Sequence, residues 1–149
     1  MKKDIFLIKI IIIFFLFNQN LLATKSSFFD EGQLLFEKKE FEKSKVFFEK
    51  DIVFNPRSEK SYLYLAKIFE INNNVIEQEI NLNSVLLLNP KNDEAIYMLV
   101  LIKIEKSDYI KSKELIEKFD LVCSKFCFKK NEIQKKFDKL IPENEKNNN

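Results

Sequence analysis

The chain has no histidine, a single glycine, three prolines and two cysteines among its 149 residues. The absence of histidine removes the commonest general base, the serine-type catalytic triads and most metal sites. One glycine cannot form a glycine-rich phosphate loop, and so few glycines and prolines argue against an all-β fold with many tight turns. The sequence therefore predicts a helical protein that is not an enzyme and that carries no cofactor and no metal.

Acidic residues are numerous, and they are the one remaining route to catalysis. They are scattered along the predicted helices, which is typical of a solvated helix face. An enzyme hypothesis would need an acidic cluster in a pocket, and the helical register does not provide one.

The two cysteines, Cys123 and Cys127, are separated by three residues. This spacing is not the C-x-x-C of thiol oxidoreductases, and two thiols cannot supply a four-ligand zinc site. On a continuous helix the pair has poor geometry for a disulfide, which a bend between Leu121 and Phe126 would relieve. Two outcomes stay open: buried or half-buried thiols, or a disulfide formed in an oxidising compartment.

The first 23 residues differ from the rest of the chain. Lys2 and Lys3 precede an apolar run over residues 5–17, interrupted only by Lys9, and Ala23 offers a small residue for cleavage. This pattern is typical of a secretory signal, and it predicts export to the periplasm or cell envelope. The alternative is an uncleaved N-terminal anchor in the inner membrane, with Lys9 reaching toward the interface.

The charges are balanced and interleaved. The chain has 25 basic and 23 acidic residues. Because residues 1–23 contain three lysines and one aspartate, the remainder has 22 residues of each sign. A nucleic-acid binder needs a basic face that neutralises phosphates. The charge balance therefore argues against a nucleic-acid partner.

A period of about 34 residues runs through the middle of the chain, and a period of this length indicates a repeat architecture. Pro56 and Pro90 are one period apart, and several sets of bulky or small residues keep the same spacing: Phe28, Tyr62 and Ile96; Gly32, Ala66 and Val100; Phe41, Val75 and Tyr109; Phe48, Leu82 and Ile116. Stacked helical hairpins produce such a period, since each hairpin buries its apolar face against the next. The period predicts an all-α helical-hairpin solenoid of about three repeats.

Capping residues and turn residues set the expected bounds of the helices. Ser58 and Asp93 are expected to cap the helices that follow them. An amphipathic segment over residues 131–140 is expected to form a C-terminal capping helix. The six helices of the repeats are predicted at residues 26–38, 41–54, 59–71, 75–88, 93–106 and 109–122. The expected organisation is a signal or anchor at 1–23, a helical domain at 24–141, and a disordered tail at 142–149.

This pattern resembles the tetratricopeptide repeat family, including its exported bacterial members. The first repeat has the family's residues at Phe28, Gly32, Leu35, Phe41, Ser44, Phe48 and Pro56, and the second at Tyr62, Ala66, Phe69, Val75, Gln78, Leu82 and Pro90. The third repeat departs at Val100, Lys103, Phe119 and Ser124. Its helices are therefore expected either to splay apart or to pack as a degenerate terminal repeat.

The resemblance implies that the first helix of each hairpin lines a concave groove that binds a protein or peptide partner. The residues implied are Phe29, Gln33, Phe36, Leu63, Lys67, Glu70, Tyr97, Leu101 and Ile104, with Phe29, Leu63 and Tyr97 side by side. A competing interpretation is that a further helix, such as the C-terminal one, covers this stripe. The function expected is a scaffold in the cell envelope. The alternative is a membrane-tethered structural subunit that uses its convex face.

Overall fold

A computed structural model describes residues 27–140, in which seven α-helices are joined by short turns and no strand occurs. The helices are α1 (Phe28–Glu37), α2 (Phe41–Phe54), α3 (Glu59–Ile71), α4 (Val75–Leu88), α5 (Asp93–Glu105), α6 (Tyr109–Val122) and α7 (Lys130–Phe137), with a 3-10 turn at Cys127–Lys129 before α7. The predicted signal or anchor at residues 1–23 and the predicted tail at 142–149 lie outside the described residues. None of the described helices is both long enough and apolar enough to cross a bilayer.

Three hairpins stack in chain order. Helices α1 and α2, α3 and α4, and α5 and α6 pair with each other, and each pair packs on the next. The predicted all-α helical-hairpin fold is thus confirmed, and four of the six predicted helices have the expected bounds. Helix α1 is shorter than predicted at both ends, and α5 ends one residue earlier at Glu105.

The turn inside each hairpin has one backbone conformation repeated three times. Lys39, Asn73 and Ser107 have φ angles of 62°, 54° and 56°, and each lies one repeat period after the last. After α1, the N–H of Glu40 donates to the carbonyl of Leu35 at 2.9 Å, and the N–H of Lys39 donates to that of Phe36. This is the Schellman arrangement, in which a left-handed residue lets the chain satisfy the last carbonyls of a helix.

The two predicted N-caps had different outcomes. Ser58 stands at the N-cap position of α3, but its side chain makes no capping hydrogen bond. Its hydroxyl donates instead to Ser61 Oγ at 3.0 Å, and Ser61 in turn donates to the buried carboxylate of Asp51 at 2.5 Å. The prediction for Asp93 was wrong, because α5 is capped by Asn92, whose side-chain oxygen accepts the N–H of Ala95 at 2.8 Å. The carboxylate of Asp93 is used in the loop that follows α6.

The third repeat has a buried core despite its departures from the family pattern. Val100 and Phe119, which depart from the family pattern, are both fully buried in the larger of two core clusters. That cluster spans α3 to α7, and the smaller one surrounds Phe48 between the first two repeats. Of the two expectations for the third repeat, the structure shows a packed degenerate repeat and no splaying.

Helix α7 covers the end of the stack, as predicted for a capping helix. It begins at Lys130 and ends at Phe137, a narrower range than the amphipathic pattern suggests. Ile133 and Phe137 are buried, and the Phe137 ring stacks on Tyr109 at 5.0 Å between centroids. Helix α7 thereby closes the apolar surface that the third hairpin would otherwise expose.

Candidate protein-binding groove

An open groove of about 380 Å³ lies on the face formed by the first helices of the hairpins. Helices α1, α3 and α5 contribute to it, together with the loop after α6. Five of the nine residues implied by the resemblance line this groove: Phe36, Lys67, Glu70, Tyr97 and Leu101. The structure adds Ile71, Glu94, Met98 and Phe126.

Three other implied residues lie elsewhere. Gln33 donates to Glu37 on the surface of α1, and Ile104 belongs to the buried core. Leu63 lines a neighbouring depression together with Lys91 and Lys125. None of these three therefore lines the open groove.

Phe29, the last of the nine, packs in an aromatic cluster and does not line the groove. Its ring packs on Phe48 and Tyr64, with centroids at 5.8 and 5.7 Å. Of the expected row of Phe29, Leu63 and Tyr97, only Tyr97 lines the open groove. The reason is that Tyr64 offers Phe29 an aromatic partner in the next repeat, and such pairs are favourable beyond the area that they bury.

Tyr64 also positions one wall of the groove. Its ring meets Phe36 edge-on at 5.0 Å and stacks on the fully buried Phe48 at 4.9 Å. Phe36 in turn meets Phe41 edge-on at 5.3 Å. Phe36 is thus held by rings from both neighbouring helices, and it presents a fixed apolar surface to the groove.

The C-terminal segment covers one end of the predicted stripe. Tyr97 donates its hydroxyl to Glu132 of α7 at 3.1 Å, and its ring lies 5.9 Å from that of Phe126. Lys129 pairs with Glu132 at 2.7 Å and lies over the Tyr97 ring. Burial, followed by the hydrogen bond to Glu132, raises the pKa of Tyr97 above its usual value. The covering helix and the open groove therefore coexist, at different ends of the stripe.

The loop after α6 fixes Phe126 in the groove wall. Cys123 and Cys127 form a disulfide with their Cα atoms 5.2 Å apart, which resolves the two alternatives for the cysteines. Helix α6 ends at Val122, so the two residues do not share a continuous helix. The five-residue loop that they close carries Phe126 at its fourth position.

The buried Asp93 fixes the same loop through hydrogen bonds. Its carboxylate accepts the backbone N–H groups of Ser124, Lys125 and Phe126 at 2.7, 2.7 and 2.9 Å. Burial by itself would raise the pKa of Asp93, but the hydrogen bonds from these N–H groups outweigh it and hold the pKa below its usual value. An ionised Asp93 is therefore part of the loop's structure.

The groove has a negative rim. Lys67 pairs with Glu94 at 2.7 Å across the gap between α3 and α5. Burial, together with the nearby charge of Glu105, raises the pKa of Glu70 above its usual value. The groove lining thus has one lysine and two carboxylates, so a cation entering the groove would be attracted to Glu70.

Four residues that line the groove were not predicted from the sequence. Met98 precedes Leu101 by three residues and so shares its helix face, which is a signal that helical spacing could have supplied. Ile71 and Glu94 lie at helix ends, where the register of the family pattern is weak. No sequence pattern indicated Phe126, because its position depends on the path of the loop after α6.

The lining of the groove is mainly apolar. Its lining combines apolar surface with one ion pair, and the residues between 27 and 140 contain no group of three His, Cys, Asp or Glu side chains that could hold a metal ion. The arrangement can desolvate an apolar segment and orient it through the charged rim.

Comparisons with known proteins inform the fold only. No protein-family model matches the chain, and no curated protein matches its sequence. Among solved structures, a chain of the CopN-Scc3 complex is similar, with a TM-score of 0.61 and 15% sequence identity over 83% of this chain and 75% of that chain. This likeness supports the all-α helical-hairpin fold and is compatible with the tetratricopeptide resemblance, which no family model confirms.

Proposed function

We propose that this protein is a non-enzymatic protein-binding module that takes an apolar segment of a partner into the groove between α1, α3 and α5. The observation that carries this proposal is the open groove of about 380 Å³, which lies on the face that the tetratricopeptide resemblance implies. The fold likeness to a chain of the CopN-Scc3 complex, an assembly of proteins, supports it further.

The groove favours a partner segment with both an apolar and a basic side chain. Phe36, Met98 and Leu101 form the apolar surface, where a buried side chain would contribute most of the affinity. A basic residue of the partner would neutralise Glu70, whose pKa is raised by burial and by Glu105. The ion pair between Lys67 and Glu94 would fix the direction of the segment across the groove.

We also propose that the protein acts after export, in the cell envelope. The signal-like pattern of residues 1–23 supports this, and so does the disulfide, since disulfides persist in oxidising compartments. Mass spectrometry of the native protein should find a mature N-terminus near Thr24. An intact Met1 on membrane-bound protein would instead favour the tethered subunit.

Peptide selection with matched variants tests the groove. Peptides selected from a random displayed library on the full chain should be rich in apolar and basic residues. Leu101→Glu should weaken their binding at least about tenfold, because a carboxylate would have to be desolvated on docking. The control is Val46→Glu, which places the same charge at an exposed position of α2 away from the groove.

Two outcomes would contradict the proposal. One is equal binding to both variants while circular dichroism shows that both remain helical. The other is selection of peptides without apolar residues. A Leu101→Glu variant that unfolds would be replaced by Leu101→Asn, which adds a polar group without a charge.

A further inference from the structure

A row of exposed apolar side chains lies outside both the core and the groove. Val53, Leu87 and Leu121 are 74%, 84% and 86% exposed. They recur at the repeat period, and each is the penultimate residue of the second helix in its hairpin. Because α2, α4 and α6 run in the same direction, the three side chains lie along one edge of the stack.

A row of basic side chains follows the same edge. Arg57, Lys91 and Lys125 also recur at the repeat period, and they occupy the loops that follow α2, α4 and α6. All three are exposed, and none forms an ion pair with another described residue. The edge therefore repeats one apolar and one basic residue in each hairpin.

The carboxylates of this edge are already engaged within the fold. Glu59 accepts the side-chain amides of Asn89 and Asn92 at 3.0 and 2.6 Å. Asp93, at the matching position of the next repeat, accepts the backbone N–H groups of the loop after α6. Both acids bind neutral N–H groups of the loops that close their own repeats, and neither forms an ion pair with Arg57, Lys91 or Lys125.

The chain enters the described domain at this edge. The ring of Phe28, in the first turn of α1, stacks on Phe54 with centroids 5.3 Å apart. Phe54 follows Val53 and is itself 74% exposed. The apolar run of the N-terminal segment ends at Phe17, so only positions 18–26 connect it to Ser27. A connection of that length reaches about 35 Å at most.

We infer that this edge, named here the basic–apolar edge and formed by Val53, Phe54, Arg57, Leu87, Lys91, Leu121 and Lys125, docks on an anionic lipid surface. Protruding apolar side chains enter the headgroup region while the basic row contacts lipid phosphates. A planar surface can meet all three repeats at once, and the short connection to the apolar N-terminal run places the same edge beside a bilayer whenever that run is membrane-bound. This surface is separate from the groove, so it does not depend on the proposed function.

Lysine footprinting of the full chain tests this inference, because it reports contact at the edge itself and not the binding of the whole chain. Vesicles that contain an anionic phospholipid should slow acylation of Lys91 and Lys125 about fivefold or more, the factor expected for one basic residue at such a surface. Lys38 and Lys39, exposed in the turn at the opposite edge, should react as fast as without vesicles. Vesicles of zwitterionic phospholipid alone should protect neither pair.

A matched pair of double variants identifies the apolar row. Leu87→Asn with Leu121→Asn should abolish the protection. Ile76→Asn with Ile110→Asn should keep it, since these residues are 71% and 79% exposed at the other ends of the same helices. Protection that survives the first pair, or that extends equally to Lys38 and Lys39, would overturn the inference. Protection by an acidic apolar peptide but not by vesicles would assign the edge to a protein segment and would also overturn it.

Discussion

Residues at equivalent positions of different repeats share an environment, but they do not always make the same hydrogen bond. Ser44 and Ser112 are both fully buried at the same position of the second helix. The Ser44 hydroxyl donates to the carbonyl of Gly32 at 2.7 Å, whereas Ser112 Oγ has no hydrogen-bond partner in the described part of the chain. Gly32 lets α1 approach α2 closely, because a Cβ at that position would lie 2.8 Å from Cε1 of Phe48. Its counterpart in the third repeat is the β-branched Val100.

This difference predicts opposite effects of one substitution. Ser44→Ala should lower the free energy of unfolding by about 1 kcal/mol, because a made hydrogen bond is lost and a buried carbonyl loses a partner. Ser112→Ala should be neutral or stabilising, since it removes a buried hydroxyl that is already unsatisfied. Chemical denaturation of the two variants checks this. Equal losses in both would show that the Ser44 bond contributes nothing.

Asp93 should make stability depend on acid pH. Its pKa is lower in the folded protein than in the unfolded chain, so its contribution is full above the unfolded pKa and is lost as the pH falls through the folded pKa. Asp93→Asn should cost about 1–3 kcal/mol near pH 6, where three N–H groups lose a charged acceptor.

Thermal melts from pH 6 down to pH 2 check the dependence on Asp93. The difference between the wild type and Asp93→Asn should shrink below about pH 4, the usual range of an unfolded aspartate. Asp120→Asn is the control, because Asp120 is exposed on α6 and pairs only with Lys130. A wild-type advantage over Asp93→Asn that stays constant across this pH range would contradict the assignment.

At the scale of elements, the turn in each hairpin requires a left-handed residue that the sequence supplies without glycine. The residues are Lys39, Asn73 and Ser107. A side chain with a Cβ is strained in this conformation, and asparagine tolerates it best. Three helices therefore end at residues where glycine should increase the stability of the fold.

Ser107→Gly should raise the free energy of unfolding by about 0.5–1 kcal/mol, because glycine adopts positive φ without the Cβ penalty. Asn73→Gly should have a smaller effect. Denaturation midpoints at constant m-value measure both. Destabilisation by Ser107→Gly would mean that the side chain of Ser107 contributes more than its backbone strain costs.

At the scale of the whole molecule, stability comes from neighbouring hairpins that bury each other. Helix α7 ends this series by covering α5 and α6, and Tyr97, Lys129 and Glu132 tie it to α5. The larger core cluster extends from α3 through α7, while the first hairpin joins the second mainly through aromatic rings. Loss of α7 packing should therefore destabilise the third repeat most.

Phe137→Ala should lower the free energy of unfolding by about 3–5 kcal/mol, since it empties a buried site beneath Tyr109. Hydrogen exchange should show the largest loss of protection in α5 and α6, with α1 and α2 less affected. Phe128→Ala is the control, because this ring is 72% exposed. Uniform loss along the chain would mean that the stack unfolds as one unit.

The repeat period predicted the hairpins and most helix bounds, because turn residues and apolar spacing act locally. Pro56 and Pro90 end their repeats where expected, and the small residues Gly32 and Ala66 mark close helix contacts. About half of the candidate groove was also predictable, because its predicted members occupy repeat positions on the first helices: Phe36, Lys67, Glu70, Tyr97 and Leu101. The pattern could not show that Phe29 would pack on Tyr64, since that pairing joins residues of different repeats.

The sequence by itself determined that the chain is helical, where four of its helices begin and end, and which face of each hairpin is apolar. Only the tertiary structure decided that Asp93 binds the loop after α6, that Cys123 and Cys127 join, and that Phe126 enters the groove. Periodic signals describe what every repeat has in common. The loop after α6 has Ser124 where the first two repeats have proline, and its place depends on hydrogen bonds to a carboxylate far away in the sequence, which exist only once the stack has formed.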